Sequence, residues 1–123
     1  MAYLDNEIFD NGLNALSGSN RVLHICSTEP STYTQAVTTY TLGNKSNPTI
    51  SGPADRSGGG REVTVSPITD GTVTGTGTAG FFAIVDTANT RLLVAQALTA
   101  TQAVTNGNEF TLTSFTVGIP DPA

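Results

Sequence analysis

The spacing of apolar residues changes period once along this chain. Between residues 4 and 16, Leu4, Ile8, Phe9, Leu13 and Leu16 fall near one face of a 3.6-residue repeat, which predicts a helix. Asp5 and Glu7 suit its electropositive first turn, and Gly18 suits its end. Gly12 inside it lowers its intrinsic stability. An N-terminal helical segment, 1–18, is therefore expected, with a stripe that covers an open sheet face or docks on a neighbour.

From Arg21 onward the period shortens to two. Arg21-Val22-Leu23-His24-Ile25-Cys26 is an apolar run bounded by Ser27-Thr28-Glu29-Pro30, the pattern of a buried strand followed by a turn. Residues 33–37 read as one helical turn and residues 38–43 as a second strand. Residues 44–61 are dense in Gly, Pro, Ser and Asn and read as an irregular exposed loop or arm, with a short extended piece near 49–51. Glu62-Val63-Thr64-Val65-Ser66 alternates, and Pro67 restricts it to an edge or a strand end. Asp70-Gly71 is a turn signal.

Residues 79–86, with Gly80-Phe81-Phe82-Ala83-Ile84-Val85, form the most apolar stretch and the expected central strand. Thr87-Ala88-Asn89-Thr90 joins it to Arg91-Leu92-Leu93-Val94-Ala95-Gln96-Ala97 as a hairpin. Asn106-Gly107 marks another tight turn. In the last segment Phe110 and Leu112 share one parity, while Phe115, Val117 and Ile119 share the other. One extra residue near Thr113-Ser114 reconciles them, so a β-bulge is expected there. The expected core is Phe81, Ile84, Val85, Leu92, Val94, Phe110, Leu112, Phe115 and Val117.

The whole reads as a mainly β chain: a single domain over 1–123, a small β-sandwich or barrel of about seven or eight short strands with one N-terminal helix. Its 123 residues suffice for one modest core.

Charge alters this picture. Only 12% of residues are charged, about half the usual share for a globular domain, and the net charge is −5. Five scattered cations, Arg21, Lys45, Arg56, Arg61 and Arg91, do not form the basic patch that nucleic acid requires, so no nucleic-acid partner is expected. Thr, Ser, Asn and Gly fill the polar positions, as suits a protein whose faces end in contacts, although a secreted β domain has the same composition. No apolar run reaches membrane-spanning length, so no membrane partner is expected. Asp5 and Glu7 stand where an export signal carries basic residues, so none is expected. Cys26 has no second cysteine to pair with.

Candidate chemistry is sparse. His24 and Cys26 lie two apart on one strand face, the spacing of a Cys–His dyad or half a metal site, or simply of a polar and a small residue on a sheet. No third ligand or orienting carboxylate accompanies them, so no metal site, cofactor or catalytic set is expected and the chain reads as a non-enzyme. The acidic run from Asp5 to Asn11 reads as a helix start with a solvated face. Ser57-Gly58-Gly59-Gly60-Arg61 precedes a strand instead of a helix, unlike a phosphate loop. Arg56 and Arg61 suit anchorage on an acidic neighbour. Asp70, Asp86 and Glu109 sit beside expected turns, and nothing singles out two of them as a glycosidase pair. Without Trp, and with three tyrosines, a carbohydrate-binding module is the weaker alternative.

Several segments together resemble a group of small proteins encoded among the virion genes of tailed bacteriophages. They are Met1-Ala2-Tyr3-Leu4-Asp5-Asn6-Glu7 with Asn11-Gly12-Leu13, Ile25-Cys26-Ser27-Thr28-Glu29-Pro30, Tyr40-Thr41-Leu42-Gly43-Asn44-Lys45, Asp86-Thr87-Ala88-Asn89-Thr90-Arg91-Leu92-Leu93 and Gly118-Ile119-Pro120-Asp121-Pro122. These motifs are turn- and strand-like, so they mark a scaffold and carry no catalytic residues. The resemblance implies a virion component made in the host cytoplasm, foremost a capsid decoration (cement) protein bound to the major capsid protein on the outer shell, often as a trimer. A tail or tail-fibre component is the alternative. The expected contacts with copies of itself or other virion proteins fall on Leu4, Ile8 and Phe9 of the helix stripe and on Arg56 and Arg61.

Overall fold

The computed structural model describes residues 6–17 and 20–119. Among them the chain is mainly β, with nine strands in two sheets and one short helix. The chain divides into two compact units.

The first unit gathers α1 (Asn6–Asn14), β3 (Ile50–Asp55), β4 (Arg61–Val65) and β9 (Phe115–Ile119). The strands lie in the order β3-β4-β9, all antiparallel. A 3-10 turn, Ala15–Ser17, prolongs the helix. Leu13 and Leu16 of the expected stripe are buried, as are Val63 and Val65 of β4. Alternation puts Arg61, Val63 and Val65 on one face, and Phe115, Val117 and Ile119 directly opposite them on that face. Helix and sheet thus share an apolar layer. Leu4 lies outside the described residues. Ile8 and Phe9 belong to α1, but their side chains lie outside the described set.

The second unit holds β1 (Arg21–Cys26), β2 (Thr41–Ser46), β5 (Ile68–Val73), β6 (Gly77–Asp86), β7 (Arg91–Val104) and β8 (Glu109–Leu112), in the order β7-β6-β1-β2-β5-β8. Six flat strands would set the two edges roughly 24 Å apart at the usual 4.8 Å spacing. Yet β7 and β8 are joined by the turn around Asn106-Gly107, and the five Cα steps from Val104 to Glu109 span at most ~18 Å. The sheet must curl. Its edges are bridged by the Gln102 side chain, whose Nε2 donates to the Thr111 carbonyl at 3.0 Å, with no ladder between the two strands. The result is a partly open barrel.

Both faces of β1 are covered. Leu23 and Ile25 pair with Ile84 and Phe82, and all four are buried. On the other face Val22, His24 and Cys26 pair with Val85, Ala83 and Phe81. A single π-helical turn, Gln35–Thr39, supplies the cover there: Ala36 clusters with Ala83 and Val85, flanked by Tyr33 and Val37.

Several expectations are corrected. Residues 44–61 are not an irregular arm. They contain the end of β2, all of β3 and a four-residue turn, because the backbone of 50–55 pairs with β4. The strand expected at 38–43 is β2, three residues later. Strand β4 is the middle strand of its sheet, and Pro67 lies beyond its end. Asp70-Gly71 is not a turn but part of β5, where the Phe110 ring lies over Gly71. The phase change at Thr113-Ser114 is not a bulge: the chain leaves one sheet there and enters the other. The expected central strand, β6, is internal, with β1 and β2 in the middle of the order. Of the expected core, Ile84, Val85 and Phe110 are buried, while Phe81, Leu92, Val94, Leu112, Phe115 and Val117 are half-buried.

Candidate interaction surface

The two residues with most chemical potential are consumed by packing. His24 is 7% exposed, and its Nδ1 lies 2.9 Å from the Thr41 hydroxyl, which lies 3.2 Å from the Gly43 carbonyl. With the hydroxyl proton given to Gly43, Oγ1 is left to accept from Nδ1–H. Burial lowers the His24 pKa to about 4, so the ring is neutral near pH 7. Cys26 is fully buried, with Sγ 3.8 Å from the Ala36 carbonyl, and burial pushes its thiol up to about 11. The strand does place them on one face, as expected, but that face lies beneath the π-helical turn. Among the described residues no group of three or more His, Cys, Asp or Glu is arranged to hold a metal ion.

Asp70 and Asp86 have structural partners. Asp70 accepts from Lys45 at 3.0 Å. Asp86 is 4% exposed and caps the β6–β7 turn. Its carboxyl is held below the ordinary range, chiefly by the Asn89 side-chain amide at 2.8 Å; burial opposes this, while the Asn89 backbone, Arg21 and the Ala88 backbone add to it. Arg21 approaches it to 3.2 Å. Glu109 is exposed at the start of β8.

The two arginines nominated as anchors bind within the chain. Arg61 donates from Nε to Asp10 of α1 at 3.0 Å and from Nη1 to Asp55 of β3 at 2.7 Å, tying helix and strands together. Arg56 donates from Nη1 to the Gly59 carbonyl at 3.1 Å. Its backbone also holds both ends of the glycine turn: Arg56 N–H donates to Gly60 O, and Gly59 N–H to Arg56 O, each at 3.0 Å. The Ser57–Gly60 run is thereby a tight turn between β3 and β4.

The features the sequence reading missed are the sheet edges. Among the described residues four strands end a sheet: β3 and β9 in the first unit, β7 and β8 in the second. Strand β3 carries Pro53, a register break between Ser51 and Ala54, and Asp55. Strand β7 breaks register with β6 twice. Strand β8 has four residues. Prolines, charges, bulges and shortness are the usual devices that keep edges from recruiting strands. Strand β9 has none of them: five residues in unbroken register with β4, Phe-Thr-Val-Gly-Ile, no charge and no proline. Its alternation is visible in the sequence, but its position at an edge is not.

Compared with known protein families, curated proteins and solved structures, the chain finds no match.

Proposed function

We propose that this is a non-enzymatic virion structural protein of a tailed bacteriophage, a decoration protein that binds the outer capsid surface and associates with its own copies. The observation that carries this reading is how the few charges are used. Arg21, Lys45 and Arg61 are tied into ion pairs within the chain, and Arg56 closes its own turn. The exposed positions of β7 and the turn after it, including Gln96, Thr99, Thr101 and Asn106, are uncharged from Leu92 to Asn108. Hydroxyl, amide and alanine surface costs far less to bury against a partner than charge does. The turn and strand motifs that resemble those of phage virion proteins point the same way. So does the use of His24 and Cys26 as packing groups, which leaves the non-enzymatic reading the simplest.

The test is imaging of the phage particles whose genome encodes the chain, with and without the protein. Added density on the outer capsid is the expected result. Density confined to the tail replaces decoration with the tail-component reading, which needs the same low-charge β scaffold.

A further inference from the structure

We infer that the end of the second unit's sheet formed by Asn20, Asn47 and the β6–β7 turn is a preformed docking surface for a carboxylate-bearing protein surface, with the Arg91 guanidinium as its anchor. This deepens the virion reading above and rests on it, the partner being the outer shell.

Four strand termini meet here. Arg21, which opens β1, pairs with Asp86, which closes β6; Asp86 pairs in turn with Arg91, which opens β7. Val22 pairs with Ser46, which closes β2. Among the described residues the non-glycine positions with positive φ are Asn20 at 61°, Asn47 at 49° and Thr90 at 49°. All three flank these termini, and all are exposed. Asparagine enters the left-handed region readily, but a β-branched residue there is an outlier. Glycine at position 90 would hold the same backbone at less cost. Backbone strain of this kind persists where the surroundings over-determine it, and it gathers where a surface is used.

The surroundings do over-determine this turn. The buried Asp86 carboxylate accepts from the Ala88 N–H at 3.0 Å, the Asn89 N–H at 3.3 Å and Asn89 Nδ2 at 2.8 Å, and Arg21 Nη1 approaches it to 3.2 Å. Thr87 donates from both its N–H and its hydroxyl to the Asn20 carbonyl, each at 3.0 Å. The Asn47 N–H donates to the Arg21 carbonyl at 2.7 Å. The Thr90 hydroxyl donates to the Asn89 carbonyl at 2.8 Å and so offsets part of its own strain. The turn is fixed before a partner arrives, which removes the ordering cost that a mobile loop carries into binding.

Residues 87–91 are all exposed, and the charge among them is Arg91, positive on a chain of net charge −5. Arg91 leads straight into β7, whose exposed positions are uncharged. A single guanidinium set beside neutral hydroxyl and amide surface fits a carboxylate, which its planar fork grips through two parallel hydrogen bonds. A polyanion such as nucleic acid needs several clustered cations instead. Covering the neutral surround on docking lowers the local dielectric and strengthens the pair.

The test titrates particles of the phage whose genome encodes the chain, stripped of this protein, with wild-type protein and three variants. Wild type should coat the particles, and its affinity should fall as salt rises. Arg91→Gln should bind about tenfold more weakly or worse, with an unchanged thermal midpoint because Arg91 is exposed. Arg91→Lys should recover only part of the loss, since it keeps the charge without the fork. Thr90→Gly should raise the thermal midpoint yet weaken binding several-fold, a split that a purely structural turn would not show. Wild-type affinity by Arg91→Gln or by Thr90→Gly overturns the docking end and leaves the virion reading standing. A lower thermal midpoint for Thr90→Gly means that the turn is not strained, and also overturns the inference. Wild-type protein that leaves the stripped particles bare overturns both.

Discussion

The ring of Phe110 on β8 occupies the space above Gly71 on β5 that a side chain would fill: a Cβ built on Gly71 overlaps the ring. The two residues are direct partners across the strands, and Phe110 is only 1% exposed. An aromatic laid over a glycine covers its bare backbone. Because the neighbour is a large buried ring, Gly71→Ala should destabilise by about 1–3 kcal/mol through overpacking. Phe110→Ala should cost about 3–5 kcal/mol through the cavity. The double variant should cost clearly less than the sum, since the alanine methyl then enters space the ring has left. Urea denaturation of the four proteins measures all three quantities.

Gly12 gives the opposite sign. It sits in α1, and a Cβ there would lie 3.7 Å from Ile119 Cδ1, an ordinary contact. Gly12→Ala should therefore stabilise by roughly 0.5–1 kcal/mol, by restricting the unfolded chain and favouring helix. A lower thermal midpoint for this variant would show that the helix backbone is less regular than described.

His24 makes stability depend on pH in a defined window. Its folded pKa of about 4 lies below the ordinary 6.5, so the unfolded chain takes up a proton that the folded chain resists. The contribution is fully present above pH 6.5 and is lost as pH falls toward 4, at up to about 1.4 kcal/mol per pH unit. Replacing His24 by Gln should flatten the stability profile between those limits while leaving the carboxylate-driven loss at lower pH. Unfolding free energies measured at half-unit steps test this.

Cys26 should be inert to a disulfide thiol reagent in the folded protein and react only on unfolding, because it is enclosed and its thiol pKa is pushed up to about 11. Rapid labelling under native conditions would mean that the π-helical turn over it opens readily.

The two carboxylates that Arg61 joins should contribute unequally. The Asp10 side chain is 30% exposed and that of Asp55 is 89% exposed, so solvent screens the second pair far more. Asp10→Asn should lower the thermal midpoint more than Asp55→Asn, and added salt should narrow the gap. Equal losses would argue that the helix is not anchored through this arginine.

The sequence by itself determined that most of the chain after Arg21 is extended, where the hairpin between β6 and β7 turns, and that a helix precedes the first strand, but not that β3 and β5 are strands. Those properties rest on local periodicity and on turn residues such as Asn106-Gly107, which act over a few positions. Tertiary structure alone decided which strands pair. The parity change between Leu112 and Phe115 is plain in the sequence, yet a bulge and a change of sheet produce the same pattern, and only the partners distinguish them. Gly71 reads as a turn until the Phe110 ring, thirty-nine positions away, is seen to need its missing side chain. Arg61 reads as a free cation until Asp10 and Asp55 close on it. The place of β9 at the end of the β3-β4-β9 order among the described residues is likewise invisible in its own five residues, because strand order depends on partners far away in the chain.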